Sequence, residues 1–471
     1  MRTAKAKDHW NTVYKRNYEY SIEKILLNGV GGINNIELNK GIFALCGLNG
    51  AGKSTIISCL KDVLGIEVNK RDLIKINGGT VEAYIRNQQD STVFQNTHTK
   101  RFRDNCEVEN NLYYVDYEQP LDILTFFEQD NLGEFLEQYE AKFFTREEIE
   151  ELNYLVGKQY SSIELIEVEN GDLSLPFFRV TDGLLNYDSL SMGIGEHFLF
   201  YLYWVLEKIN GSGIVLIEEP ETFISITSQS HLMNHIAKKT SLKGLNLVIA
   251  THSPHIIKKI KRENICIISR YQNRVSIQRP AIEQESLITL GMELPQKGCI
   301  FVEDLLAEYF LKTIFSKKAS FISYEYGIEK VNGESEITEL LSFPTKQNFK
   351  YKLIGVYDGD MKLKESQLKS VVNWDFLFLP VEIEIEKEFR QALDENLEAF
   401  CSTLGIHVDT AVRLLSRING EEHHDWFIEL SKALGKDYSV IIDVLFNFWE
   451  SQGENKRKVE IFVEDITAKC M

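Results

Sequence analysis

Two α/β domains in series, each organised around a mainly parallel sheet, with a helical segment behind them, are what this sequence predicts. Three observations carry the prediction. "IFALCGLNGAGKSTIISCL" (42–60) passes from an apolar strand pattern through a glycine-rich loop into a helical pattern. Strand-like and helix-like runs alternate up to about residue 255 and again from about residue 298, as parallel strands joined by crossover helices require. From about residue 387 the periodicity is helical nearly to the end.

Taken in order, "IEKILLNGVGGINNIELNK" (22–40) reads as two amphipathic strands ahead of the apolar one. From about 66 to 190 the patterns are mixed, with a short strand "LYYVDY" (112–117) and a helix "TREEIEELNYLVGKQY" (145–160). That stretch is expected to be an insertion within a first domain spanning 1–295. It holds no heptad array, so no extended coiled-coil arm is expected. After "SMGIGEH" (191–197) come a helix "FLFYLYWVLEKI", a stop "NGSG", a strand "IVLIEEPE", a further helix and a strand "LNLVIATHSPH" (245–255). A second domain, 296–400, alternates "CIFVED", "LLAEYFLKTIF", "YEYGIEKV", "SEITELLSF" and "YKLIGVYDGD", and closes with "FLFLPVEIEIE" (376–386) as another extended segment. Residues 401–471 form the helical segment, with "RING" (417–420) as a helix stop.

At 471 residues the chain exceeds one ordinary core, and its 44% apolar content excludes general disorder. No apolar run approaches the ~20 residues needed to span a bilayer, and the first twenty residues carry basic groups but no signal-peptide core. A cytoplasmic protein without membrane partners is the expectation. The seven cysteines are scattered, without a CxxC pair, which indicates neither a disulfide framework nor a zinc site. The net charge of −18 argues against non-specific coating of nucleic acid, while "THTKRFR" (97–103), "KKIKR" (258–262) and "KRK" (456–458) are either solvated faces or local basic surfaces.

"GLNGAGKST" (47–55) satisfies GxxxxGK[ST] between a strand and a helix. Gly47, Asn49, Gly50 and Gly52 form a loop whose backbone N–H groups converge on phosphates; Lys53 reaches the β and γ phosphates, with Thr55 beside it, and Ser54 ligates Mg²⁺. ATP with Mg²⁺ is therefore the expected ligand. The strand "GIVLIEEPE" resembles a Walker B segment, placing Glu218 on the metal and Glu219 as the base that orients water; the family commonly carries Asp where Glu218 stands. "LSMGIGEH" (190–197) looks like an ABC-type signature, with Ser191 and the Gly193 N–H aimed at a γ-phosphate, Ser191 alternatively being a plain N-cap. His252 in "VIATHSPH" stands where that family has its switch histidine, and Gln119 in "DYEQP" is a Q-loop candidate. Together these residues resemble the ABC-type heads of SMC-like, recombination-repair and OLD-family ATPases. The resemblance implies a head-to-head homodimer, since one subunit's signature completes the other's ATP site.

In the second domain Glu303 ends "CIFVED", Asp358 and Asp360 end "LIGVYDGD", and Glu382, Glu384 and Glu386 alternate along "PVEIEIE". Side chains two apart on a strand share a face, so three strand ends present acids to one pocket suited to Mg²⁺, with Mn²⁺ as a substitute. The bland alternative for Tyr-Asp-Gly-Asp is a turn. The arrangement resembles a Toprim domain, a glutamate after one strand and D-x-D after a later one, with Gly333 in the connecting loop. An ABC-type head followed by a Toprim domain is the layout of OLD-family nucleases, and the resemblance covers about residues 20–400. It departs in the first motif, where Asp304 replaces a glycine and Ala307 an acid: either Asp304 supplies the missing carboxylate, or one of two metals is weakly held. Glu386 is preferred to Glu382 as the third acid. The resemblance implies metal-dependent DNA hydrolysis in antiphage defence, alone or beside a helicase or a retron-type reverse transcriptase with its RNA–DNA product. The competing reading is a non-catalytic SMC-like ATPase clamp.

Overall fold

The computed structural model describes residues 3–76, 78–87, 90–97, 100–102, 111–171, 173–280, 282–345 and 350–470. The chain divides into two compact units, Met1–Glu293 and Leu294–Met471. In the first, the all-apolar runs become a six-stranded sheet in the order Arg274–Gln278, Ile265–Tyr271, Ile42–Cys46, Leu245–Thr251, Gly213–Glu218, Leu112–Val115. Only the edge strand Arg274–Gln278 runs antiparallel. Ile42–Cys46 and Leu245–Thr251 are buried at every residue, which is why their sequences do not alternate: helices or strands cover both faces.

The expected insertion at 66–190 is not one block. Thr80–Asn87 pairs with the amphipathic Tyr20–Val30, whose other edge takes Ile33–Glu37, in a five-stranded antiparallel sheet. Leu112–Val115 joins the central sheet instead, and Ala141–Phe143, Tyr160–Asn170, Leu173–Asp182 and Leu185–Asp188 form a third sheet. Amphipathic strands must find edges wherever their apolar face is covered, and sequence order does not determine which edge. The helix Arg146–Val156 starts in a capping box between Thr145 and Glu148 and stops at left-handed Gly157, as its sequence signals require. The basic start of the chain folds as a helix, Thr3–Lys15, fixed to Ile226–Lys243 by Trp10 Nε1 donating to Asn234 (3.0 Å).

The second unit has a four-stranded parallel sheet in the order Tyr326–Lys330, Gly298–Val302, Lys352–Tyr357, Asp375–Phe378. The central pair is in register, Val302 beside Val356. The helices beyond residue 400 do not stand apart as a third domain. Phe427, Trp449, Phe462 and Ile466 share one buried core with Ile300, Phe310 and Val356, because amphipathic helices of this length need an apolar partner to be stable. The segment "PVEIEIE" is corrected: the strand ends at Phe378, and Ile385–Glu395 is a helix. No described helix is long and apolar enough to cross a membrane, and the six described cysteines are free and buried.

Candidate functional site

The first site grows from the buried strand Ile42–Cys46. Its loop turns at Gly47, where a Cβ would lie 2.2 Å from the Ile268 carbonyl oxygen, and passes through left-handed Gly50 and Gly52 (φ 78° and 115°) before the helix Lys53–Leu64. Only glycine meets both demands. Asn49 is exposed and Thr55 half-buried. Lys53 curls over the loop, donating to the carbonyls of Gly47 (2.9 Å) and Leu48 (3.2 Å). Burial pulls its pKa down, against the opposing pull of Glu219, Glu221 and Glu218. Those contacts are the kind a phosphate oxygen would replace.

Glu218 ends Gly213–Glu218, which Leu245–Thr251 separates from Ile42–Cys46, and is bonded by Ser54 and by the Tyr114 hydroxyl (3.0 Å); burial raises its pKa. Ser54 and Glu218, expected on one metal, are thus in contact. Glu219 holds a left-handed conformation (φ 46°), its N–H donating to Ala250 O at 2.8 Å. For a non-glycine residue such a conformation costs about 1–3 kcal/mol and is retained where it aims a side chain. His252 Nδ1 lies 3.5 Å from Glu219 and 3.2 Å from Glu221, within ionic reach but without hydrogen-bond alignment.

Sequence reasoning missed Glu221. Its buried Oε1 accepts from Thr251 Oγ1 and from the His252 N–H, both at 2.7 Å. It ties the Glu-Glu-Pro-Glu turn to the histidine loop; the signal, a third glutamate beyond a proline, was visible but reads as surface charge. Gln119 opens the helix Gln119–Phe127 that follows Leu112–Val115, accepting from the Tyr201 hydroxyl (3.0 Å) and donating to Tyr114 O (3.3 Å).

Ser191 is not an N-cap. The helix Ile194–Lys208 is capped by extended Gly193 with no side-chain bond, and Ser191 is exposed. Glu196, in the first turn, accepts from Lys158 Nζ (2.8 Å), Tyr160 Oη (2.5 Å) and Tyr187 Oη (2.7 Å), so the third sheet holds the start of this helix. Among the described residues no hydrogen bond joins Ser191 or Gly193 to 47–55.

The second site lies in the C-terminal unit, where Glu303 follows Gly298–Val302 and Asp358 follows Lys352–Tyr357. The Asp358 N–H donates to Glu303 Oε1 (3.1 Å), and Asp358 Oδ1 is buried without a hydrogen-bond partner. Burial, then Glu303, Asp304, Glu386 and Asp360, raise the Asp358 pKa well above 3.8, and Glu303 is likewise raised by burial. The expectation that Asp358 and Asp360 project from one strand is corrected. The strand ends at Tyr357, and Asp360 is exposed in a 3₁₀ turn, Gly359–Lys364; a Cβ on Gly359 would stand 2.2 Å from Val381 O. Glu386 is buried in the first turn of its helix, and Glu382 is drawn away by Lys458 (2.8 Å). Asp304 caps the helix Leu305–Lys318 through Oδ1 and the Ala307 N–H (2.8 Å), which commits one oxygen of the carboxylate expected to replace the missing acid. Left-handed Gly333 opens the helix Glu334–Leu341, as a connecting-loop glycine does. The acids are neighbours, yet among the described residues no group of three or more His, Cys, Asp or Glu is preset to hold a metal. Of the basic runs, residues 98, 99 and 103 lie outside the described residues; Lys261 covers Tyr14, and Lys458 pairs with Glu382.

Comparison with known proteins bears on the first site. A model of an "AAA domain" matches residues 24–177, and one described as "AAA domain, putative AbiEii toxin, Type IV TA system" matches residues 124–258. The chain therefore carries a P-loop ATPase domain of AAA type. No curated protein matches. Among solved structures, the SMC head domain from Thermotoga maritima is 16% identical, over 55% of this chain and 99% of its own, with a TM-score of 0.34. The Smc head of Pyrococcus furiosus bound to the C-terminal domain of ScpA is 14% identical, over 57% and 98%, at 0.38. That of Pyrococcus yayanosii is 10% identical, over 58% and 99%, at 0.39.

Proposed function

We propose that this ATPase is an OLD-type, metal-dependent DNA endonuclease in which heads that dimerise on ATP gate a phosphodiester-cleaving site in residues 294–471. One observation carries the reading: Glu303 and Asp358 stand at adjacent strand ends of a parallel sheet where the chain order reverses, bonded to one another, with Asp358 Oδ1 an orphan. Ligands of parallel sheets bind at such switch points. A buried carboxylate oxygen without a donor, among acids that raise its pKa, fits a hard cation. The donor set fits Mg²⁺, which takes one or two carboxylates and keeps its waters, better than a dense protein cage. Glu303, Asp358 and Asp360 would hold it, with Asp304 and Glu386 shaping the charge around them. Bound there, Mg²⁺ supplies activation of water and stabilisation of the leaving 3′ oxygen.

In the head, Glu219 orients the water that attacks ATP, and His252, held by Glu221, faces the same γ-phosphate. Ser191 and the Gly193 N–H serve a second subunit's nucleotide. Exposed Ser191, an N-terminus without a side-chain cap, and exposed Leu190, Ile194, Phe223 and Ile226 support that role. The match to a toxin-type AAA model supports a defence role. A non-catalytic clamp is the second reading, favoured by the missing preset metal group.

The test is nicking of supercoiled plasmid with Mg²⁺ titrated in. Cleavage should be lost in Asp358→Asn and Asp360→Asn while ATP hydrolysis persists. Full cleavage in both variants, or none in the wild type with any divalent ion, would favour the clamp.

A further inference from the structure

The C-terminal unit carries a groove of about 1300 Å³, bounded by the strand Asp375–Phe378, the turn after Gly359, and the last helix, Asn455–Cys470. It exceeds the roughly 300–1,000 Å³ of small-molecule sites, which leaves room for an extended polymer. Asp375–Phe378 is the last strand of its sheet, so among the described residues one edge carries no neighbouring strand.

Charge identifies the polymer. Residues 294–471 hold 21 Lys and Arg against 31 Asp and Glu, yet the groove gathers five lysines, Lys352, Lys362, Lys369, Lys458 and Lys469. Four acids share the lining, Glu365, Asp375, Glu382 and Asp465. Three of them pair with lysines at the surface: Lys369–Glu365 (2.6 Å), Lys469–Asp375 (2.9 Å) and Lys458–Glu382 (2.8 Å). Exposed pairs of this kind contribute little, so phosphates can take the lysines while the carboxylates swing into water. Trp374 adds an aromatic surface of the sort on which bases stack. One end of the groove abuts the acids: Leu379, Pro380 and Glu382 line it, and the intervening Val381 carbonyl accepts from Lys362 Nζ (3.0 Å) and lies against Gly359, between Asp358 and Asp360.

We infer that this groove is the track along which a single nucleic-acid strand is led to Asp358 and Asp360. The inference rests on the nuclease reading above. A peptide adding to the strand edge would use backbone groups and respond weakly to salt, whereas a phosphate backbone held by lysines responds steeply.

The experiment measures fluorescence anisotropy of a labelled oligo-dT strand against salt, in an Asp358→Asn background so that nothing is cut. Lys369→Glu with Lys458→Glu should weaken binding at least tenfold at low salt and flatten the log–log salt slope by about 1.4, from two lost contacts at ~0.7 each on a single strand. The matching Lys→Arg pair should restore both. Thermal melting checks the fold, and Lys369→Gln, a single exposed change, gives a second readout if the double variant melts early. Unchanged affinity and slope in these variants, or binding indifferent to salt, overturns the groove assignment whatever the plasmid assay gives. Persistent cleavage by Asp358→Asn overturns the nuclease reading, while the anisotropy still judges the groove.

Discussion

Glu221→Gln should cripple ATP turnover without weakening ATP binding. The carboxylate accepts two hydrogen bonds at 2.7 Å from the histidine loop through Oε1, and Oε2 is buried with no partner. An amide keeps one acceptor but halves the strength of bonds that were charge-assisted, at about 1 kcal/mol each. Its NH₂ then occupies the place of Oε2, where no acceptor waits, at a further ~1–3 kcal/mol. The sum is about 4 kcal/mol, which at roughly 2 °C per kcal/mol for a large domain lowers Tm by about 8 °C. Because the strain falls on the His252 backbone, kcat should drop at least tenfold while KM for ATP, set by Lys53 and its loop, stays within twofold. Steady-state ATPase assays and melting curves on the same preparation separate the two effects. A lowered Tm with kcat intact would mean that Glu221 only holds the fold, and the proposed role of His252 would fall with it.

Lys53→Ala should weaken ATP binding about 100-fold, the loss of two charge-assisted contacts of ~1.5 kcal/mol each; titration calorimetry with wild-type affinity would sink the phosphate assignment. Glu219→Gln should retain ATP and lock the heads together with Mg²⁺ present, and adding Ser191→Arg should abolish that dimer; light scattering that shows the same mass throughout rules out nucleotide at the interface. His197 is fully buried with neither ring nitrogen bonded, and burial pushes its pKa down from 6.5 to about 4. Its neutral form therefore stabilises the fold above pH 6.5, and about 3 kcal/mol is lost as pH falls through 4. His197→Leu, of similar volume, should show a smaller fall in Tm between pH 7 and pH 4.5; equal falls would place the acid lability elsewhere.

The ATPase half was legible because its chemistry is local. The loop 47–55 must follow a buried strand and open a helix, and nine consecutive residues declare both. The carboxylate half was only partly legible. Strand ends at Glu303 and Asp358 follow from apolar runs that stop at acids, but Glu382, Glu384 and Glu386 alternate with Val and Ile in a pattern that fits a strand. The structure places a loop and a helix there instead, since Ile385 and Phe389, four apart, are both buried in the core. A short run of that kind satisfies both periods, and packing decides between them. The structural bonds of Glu221 and Asp304 were illegible for a related reason: each carboxylate accepts from a backbone N–H brought to it by folding, which composition and spacing do not reveal.

The register of the central pair in the C-terminal sheet sets a rule for variation. Val302 stands beside Val356, and the two acids follow at the strand ends by counting residues, not by any side-chain contact upstream. Substitutions among apolar residues of 298–302 and 352–357 leave that count unchanged. Deleting one residue from either strand rotates the succeeding acid to the other face of the sheet: Asp358 onto the face where Tyr357 packs with Ile337 and Leu341, Glu303 onto the face of Val302 and Val356. The site should thus be forgiving of altered letters and intolerant of altered length.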